Sequence, residues 1–265
     1  MQRQVGSRIA LDVTEPADLV FAVAVSRHYS PSAEALAVTL DGAPVEASEV
    51  PDAHGARLHR VRADAGRLQL EYAATIDGSG ENDDATETDR LVYGRPSRYA
   101  ESDVLAPTAT AEFAGIDGHA DLLASVSSWV GTRLAYVTGS SLPTDGAART
   151  LLARRGVCRD YAHVCVALLR ALGVPARVAA VYAPGLDPMD FHAVAEAWID
   201  GAWRVVDATT LAPRSTLVRI ATGRDAADTA FLTVVSGRAD LVDVTVTAVA
   251  DTLPDDDVTE FASLA

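Results

Sequence analysis

Residues 158–172 place the tightest constraint on how this chain folds. From Cys158 onward, Tyr161, Val164, Leu168, Leu169 and Leu172 recur near helical spacing. Gly173 is a stop signal and Pro175 prevents continuation. Gly156 stands two residues before the cysteine and lets the backbone pass tightly in front of the helix. Cys158 is therefore expected at a helix N-terminus. Unpaired backbone N–H groups and the positive dipole end favour an anion there, and a thiolate is one.

Two later segments hold what a thiolate needs. Residues 191–199 read as a strand with His192 at its start. Asp200-Gly201 is a tight-turn dipeptide, and 202–207 read as the returning strand with Asp207 at its end. The turn lies about midway, so the hairpin predicts His192 and Asp207 as neighbours. Cysteine, histidine and aspartate can then act as nucleophile, base and orienter. His163 competes for the base. Five residues along the helix puts it about 140° around from Cys158, so it is expected to be structural. Cys165 lies between Val164 and Val166 on the apolar face and is assigned to the core. A disulfide between the two cysteines would have to span about 10.5 Å of helix rise, too far for its geometry. Cys158, His163 and Cys165 do not converge on one ion, and no Cys-x-x-Cys pair exists, so no metal site is expected.

These motifs, in this order, resemble the transglutaminase-like core, a papain-like superfamily of Cys-His-Asp acyl-transfer and amide-hydrolysis enzymes. The resemblance rests on Gly156-Val-Cys158-Arg-Asp-Tyr-Ala-His163, Ala167-Leu-Leu-Arg-Ala-Leu-Gly-Val-Pro-Ala-Arg177, His192-Ala-Val-Ala-Glu196 and Trp203-Arg-Val-Val-Asp207-Ala-Thr209. Outside the core, Pro96-Ser-Arg-Tyr99 with Ser102-Asp103, and Gly223-Arg-Asp-Ala-Ala-Asp228, are similar to segments that flank it in bacterial members. The resemblance implies a thioester on Cys158, with the Cys158 N–H as one oxyanion donor. It also implies a second, aromatic donor upstream, for which Tyr136 is the candidate. Asp160 falls in the family's Cys-x-Asp pattern and is expected to orient the turn. The family often reads His-Ala-Trp and Asp-Pro-Thr where this chain has His192-Ala193-Val194 and Asp207-Ala208-Thr209. Neither departure removes a triad member.

The 265 residues suffice for one large domain or two modest ones. Residues 8–75 carry several short strand signals separated by turns, among them Asp41-Gly42. The fold class expected is α+β: an antiparallel β-sandwich over 1–105, then over 106–250 a transglutaminase-like core with its Cys-bearing helix on an antiparallel sheet. An acidic, frayed tail is expected over 251–265. Residues 77–89, rich in acids, Gly and Ser, read as a solvated loop without a calcium pattern. Residues 96–112 read as the linker between modules, and 117–133 and 146–154 as helices.

The net charge is −15 and every cation is arginine. Nucleic acid is therefore not an expected partner, since neutralising phosphates requires a basic surface. No apolar run approaches the ~18 residues of a membrane span, and the N-terminus has no apolar signal core. Cytoplasmic residence is expected. The functional expectation is a cofactor-free thiol enzyme acting on peptide or protein amides, with hydrolysis favoured slightly over amine transfer. The rival expectation is a non-catalytic interaction module that keeps the fold. The oligomeric state is not legible.

Overall fold

A computed structural model describes residues 1–264. In chain order, β1 (Gln2–Phe21), β2 (Ala33–Leu40), β3 (Ala43–Pro44), β4 (Ser48–Pro51), β5 (Arg57–Ala63) and β6 (Gly66–Asp77) come first. Next are α1 (Glu87–Val92), α2 (Ser102–Phe113), α3 (His119–Arg133), β7 (Ala135–Tyr136), α4 (Ala147–Ala153), β8 (Arg155–Gly156) and α5 (Cys158–Ala171). Strands β9 (Ala176–Tyr182), β10 (Phe191–Ile199), β11 (Ala202–Val206), β12 (Val218–Gly223) and β13 (Leu232–Ala250) follow. The fold class is the one the sequence predicts, α+β with an antiparallel β module ahead of the cysteine helix.

Strand β1 is the spine of the β module. Its first half pairs with β6, from Gln2 opposite Asp77 to Val13 opposite Gly66. Ala17–Phe21 pair instead with β5. Pro16, which has no N–H to give a ladder, falls at the changeover. Repeated register shifts between Ala10 and Leu19 bend the strand there. The module's sheet thereby curls around one core. Val5, Ile9, Leu11 and Leu70 enter it from this sheet, and Tyr182, Val218 and Ile220 from the next. Asp41 and Gly42 have φ of 50° and 82°, the two positive values that a type I′ hairpin turn requires.

The second sheet has the order β11-β10-β9-β12. Helix α5 lies on it, with Leu168 and Val164 sharing a core with Val178, Ala195, Ala197 and Val206. Every residue of α5 from Asp160 to Arg170 is buried, so the helix needs cover on all sides. Helices α2 and α3 provide much of it through Leu105, Ala109, Phe113, Leu123 and Val126. Among the described residues no helix is long and apolar enough to cross a membrane.

Four expectations require correction. The unit predicted for 106–250 includes β13, yet β13 lies along β1 from Arg3 opposite Ala250 to Phe21 opposite Leu232. Val246 and Ala248 enter the core of the N-terminal module, so the division at 105 does not follow the sheets. The predicted linker 96–112 is helical from Ser102, because Leu105, Ala109 and Phe113 form one apolar stripe on α5. The predicted solvated loop 77–89 buries Asp83 against Arg177 and Arg219, and its end starts α1 through a Thr86–Asp89 capping box. The tail 251–264 is docked, not frayed. Arg214 grips Asp256 and the carbonyls of Asp257 and Glu260, Val205 donates to the Ala262 carbonyl, and Leu264 is buried.

Candidate active site

The cysteine turn is built by three residues. Asp160 accepts the Val157 N–H at 2.8 Å and the Ser141 hydroxyl at 2.9 Å. Its side chain folds back under Gly156, where an added Cβ would stand 2.6 Å from the Asp160 Cβ. Only glycine leaves that space, which is the physical content of the Gly-x-Cys-x-Asp spacing. Asp160 thus orients the turn, and Cys158 emerges half-buried as the first residue of α5. The parallel pair β7–β8 sets Tyr136 opposite Gly156, which brings its hydroxyl to Cys158. Burial first, then the adjacent Cys158 sulfur, push that hydroxyl's pKa up to about 12.

The β10–β11 hairpin does what its Asp-Gly turn predicts. Asp200 and Gly201 take φ of 52° and 75°, and Trp198 faces Trp203. His192 Nε2 stands 2.8 Å from Asp207 Oδ2, both side chains buried. The second carboxylate oxygen, Oδ1, accepts the Thr209 N–H at 2.9 Å and the Thr209 hydroxyl at 2.7 Å. His192 Nδ1 has no conventional hydrogen-bond partner and faces the Cys158 sulfur. Burial opposes charge on the imidazole. The Asp207 charge and hydrogen bond, with the Cys158 sulfur, outweigh it and raise the His192 pKa. Burial likewise opposes charge on Asp207, but His192 and then Thr209 hold its pKa low. Both directions favour an imidazolium bound to a carboxylate and beside a sulfur.

The competitors stand apart. Cys165 is completely buried, and burial pushes its pKa up. His163 accepts the Ala226 N–H at Nε2 (3.0 Å) and stacks on Tyr99. Burial lowers its pKa from 6.5 to about 3. Above pH ~6.5 it is neutral whether folded or unfolded. Below that, the unfolded chain takes a proton that the native site refuses, so stability falls by about 1.4 kcal/mol per pH unit down to about pH 3. His163→Gln, whose amide oxygen can take over the Ala226 N–H, is expected to flatten the stability slope between pH 6.5 and 4.5. Urea unfolding at a series of pH values reads this directly.

The flanking motifs meet behind the site. Arg170 of α5 donates to the carbonyls of Arg95, Ala176 and Arg224 and to the Ser97 hydroxyl. Asp225 accepts the Tyr99 N–H. Two residues of the site carry no assigned role in the sequence reading, Ser141 and Thr209. Thr209 was signalled by the Asp-Ala-Thr run. Ser141 sits in a turn whose contact with Asp160 no local pattern announces.

Comparison with known proteins finds a family and similar proteins for this chain. The model of the transglutaminase-like superfamily matches residues 107–208. The crystal structure of a candidate cysteine protease from Cytophaga hutchinsonii is 34% identical, with a TM-score of 0.86 over 97% of this chain and 92% of that chain. An uncharacterised protein of Mycobacterium leprae is 29% identical over 119 residues, 42% of this chain and 43% of that protein. One from Mycobacterium tuberculosis is 36% identical over 87 residues, 29% of this chain and 28% of that protein. The chain thus spans less than half the length of these mycobacterial relatives in its matches.

Proposed function

Because this chain belongs to the transglutaminase-like superfamily, we propose that it is a thiol enzyme whose Cys158, His192 and Asp207 cleave amide bonds. The observation that carries this reading is the placement of His192, with Nε2 on Asp207 and Nδ1 toward Cys158. Cys158 Sγ attacks the amide carbonyl carbon. The Cys158 N–H, and the Tyr136 hydroxyl once it turns to the substrate, stabilise the oxyanion. As the tetrahedral intermediate collapses, the C–N bond breaks and the His192 imidazolium protonates the departing amine. A thioester remains. His192, now neutral, takes a proton from water, the hydroxide attacks, and acid and thiolate separate. An acceptor amine in place of water would give transfer. Hydrolysis is the favoured outcome, supported by the description of the Cytophaga hutchinsonii relative as a candidate cysteine protease.

The test is alkylation by iodoacetamide at pH 7, read residue by residue by mass spectrometry. Cys158 is expected to label and Cys165, completely buried, to stay unlabelled in the native protein. His192→Ala is expected to slow Cys158 labelling by about 10²-fold, because the thiolate loses its imidazolium partner. Equal rates in the two proteins would rule the enzyme reading out and leave the interaction module.

A further inference from the structure

Strand β13 is a sheet edge that nothing covers. Leu19 of β1 faces Val61 on one side and Val234 on the other, and Val5 faces Ala74 and Ala248. Strands β5 and β6 therefore flank one side of β1, and β13 flanks the other. Beyond β1, nothing among the described residues pairs with β13. Along its 19 residues the outward backbone N–H and C=O groups are left open to solvent.

The other edges of the fold are managed. At the far side of the same sheet, β3 and β4 are two and four residues long and each ends in proline. In the second sheet the tail covers β11, where Val205 donates to the Ala262 carbonyl, and Ser26 covers β12 by donating to the Arg219 carbonyl. Residues 232–250 contain no proline and the chain has no lysine, two residue types that commonly keep an edge from pairing. Val234, Val235, Leu241, Val242 and Val249 stand exposed along β13 instead. A long, bare, apolar edge is a template for another strand.

The charge pattern says which strand. Arg238 is the one cation of β13, and Asp240 and Asp243 are its acids. Register shifts flank the stretch Arg238–Leu241, but β13 carries no extra residue within it. Side chains two apart leave the same face, and Arg238 and Asp240 lie 3.9 Å apart there, both exposed. Antiparallel pairing about a two-fold axis through Ala239 sets Arg238 opposite Asp240 of a second copy, and Asp240 opposite that copy's Arg238. Both cross-strand pairs are then of opposite sign. The same axis lays residues 234–237 alongside 241–244 of the second copy, so Val234, Val235, Leu241 and Val242 leave water together.

We propose that two copies of this chain pair antiparallel along β13 about that axis, joining their β modules into one continuous sheet. The contact is isologous and closes as a dimer. It uses neither Cys158 nor the sheet that carries His192, so it stands independently of the thiol-enzyme reading.

Sedimentation equilibrium at ~0.15 M salt tests this, since repulsion between two copies of net charge −15 is then screened beyond ~8 Å. Up to ~1 mM protein, where a weak contact is populated, the average mass is expected to climb from 27.8 kDa toward twice that value. Arg238→Asp sets acid opposite acid, and Asp240→Arg sets arginine opposite arginine. Each single variant is expected to weaken the dimer by about tenfold or more. The two substitutions move the net charge in opposite directions, so overall repulsion would weaken one dimer and strengthen the other. Mixed in equal amounts, the two variants are expected to regain a dimer as tight as the parent's, because every cross-strand pair is again of opposite sign. That recovery also shows both variants to be folded. A parent protein that stays at 27.8 kDa overturns the proposal and leaves the edge to a different chain. So does a dimer that either single variant retains, or a mixture that does not recover it.

Discussion

Asp83→Ala is expected to destabilise the protein by about 3–5 kcal/mol, the scale of leaving a buried charge without its partner. The size follows from a closed ring. Asp83 binds Arg177 at 2.6 Å and Arg219 at 2.9 Å. Glu196 binds the same two arginines through its other sides, Arg177 at 2.8 Å and Arg219 at 2.8 Å. Two acids and two bases alternate, and the charges cancel. The side chains of Arg177 and Glu196 are fully buried, those of Arg219 and Asp83 nearly so. Arg177 also lies 3.9 Å from the Trp203 ring centroid, a packing arrangement that lysine could not copy. Removing Asp83 leaves a net positive charge that is largely shielded from solvent. The loss should appear as a lower urea midpoint at unchanged slope. It should not be recovered by salt, since a buried pair is little screened. The pH dependence carries a sign. Burial opposes the Asp83 charge, but His28, His54 and the two arginines hold its pKa far below the usual 3.8. Its contribution is therefore complete above pH ~4 and declines as pH falls further. The alanine variant should lack that acid-side decline. An Asp83→Ala protein as stable as the parent would show the ring to be energetically idle.

That ring marks where the sequence stops being legible. The site is legible because its signals are local. Helical spacing and a glycine place Cys158, and an Asp-Gly turn places His192 beside Asp207. Asp83 lies in a run of acids, glycine and serine whose local pattern is that of a solvated loop. What buries it is two arginines 94 and 136 residues away, differences that follow from positions 83, 177 and 219. The available signal was on the other side of the pair. Arg177 and Arg219 interrupt the apolar strands Ala176–Tyr182 and Val218–Gly223, and arginines in such strands need acids. The docked tail repeats the lesson. Asp255-Asp256-Asp257 reads as a repelling acidic run, but Arg214 takes Asp256 as a partner. Strand β13 alternates visibly, yet alternation reports which face is buried and is silent about which strand lies alongside. Its pairing with β1 closes a loop of more than two hundred residues, a choice set by the whole core.

The second large effect is expected at Asp207. Asp207→Asn should lower kcat/KM on an amide substrate by about 10³–10⁴-fold, the scale seen when the orienting carboxylate of a triad is neutralised. The carboxylate does two things for His192. It accepts the Nε2 proton at 2.8 Å, which leaves Nδ1 to serve Cys158. Its charge also counters the burial that would otherwise strip the imidazole of its proton. With asparagine, burial remains and the charge is gone, so the His192 pKa should fall from its raised value to below the ordinary 6.5. The imidazole would then be neutral at pH 7, unable to pair with a thiolate or to protonate a leaving amine. Two readouts separate this from mere damage. In a nuclear magnetic resonance titration, the His192 ring should change charge below pH 6.5 in the variant, while the parent stays protonated through neutrality. In Thr209→Val, which removes one of the two hydrogen bonds to Asp207 Oδ1 but keeps the charge, His192 should remain charged and activity should fall only about tenfold. An Asp207→Asn protein that keeps a charged His192 at pH 7 would remove Asp207 from the triad and leave His192 to be sustained by Cys158 alone.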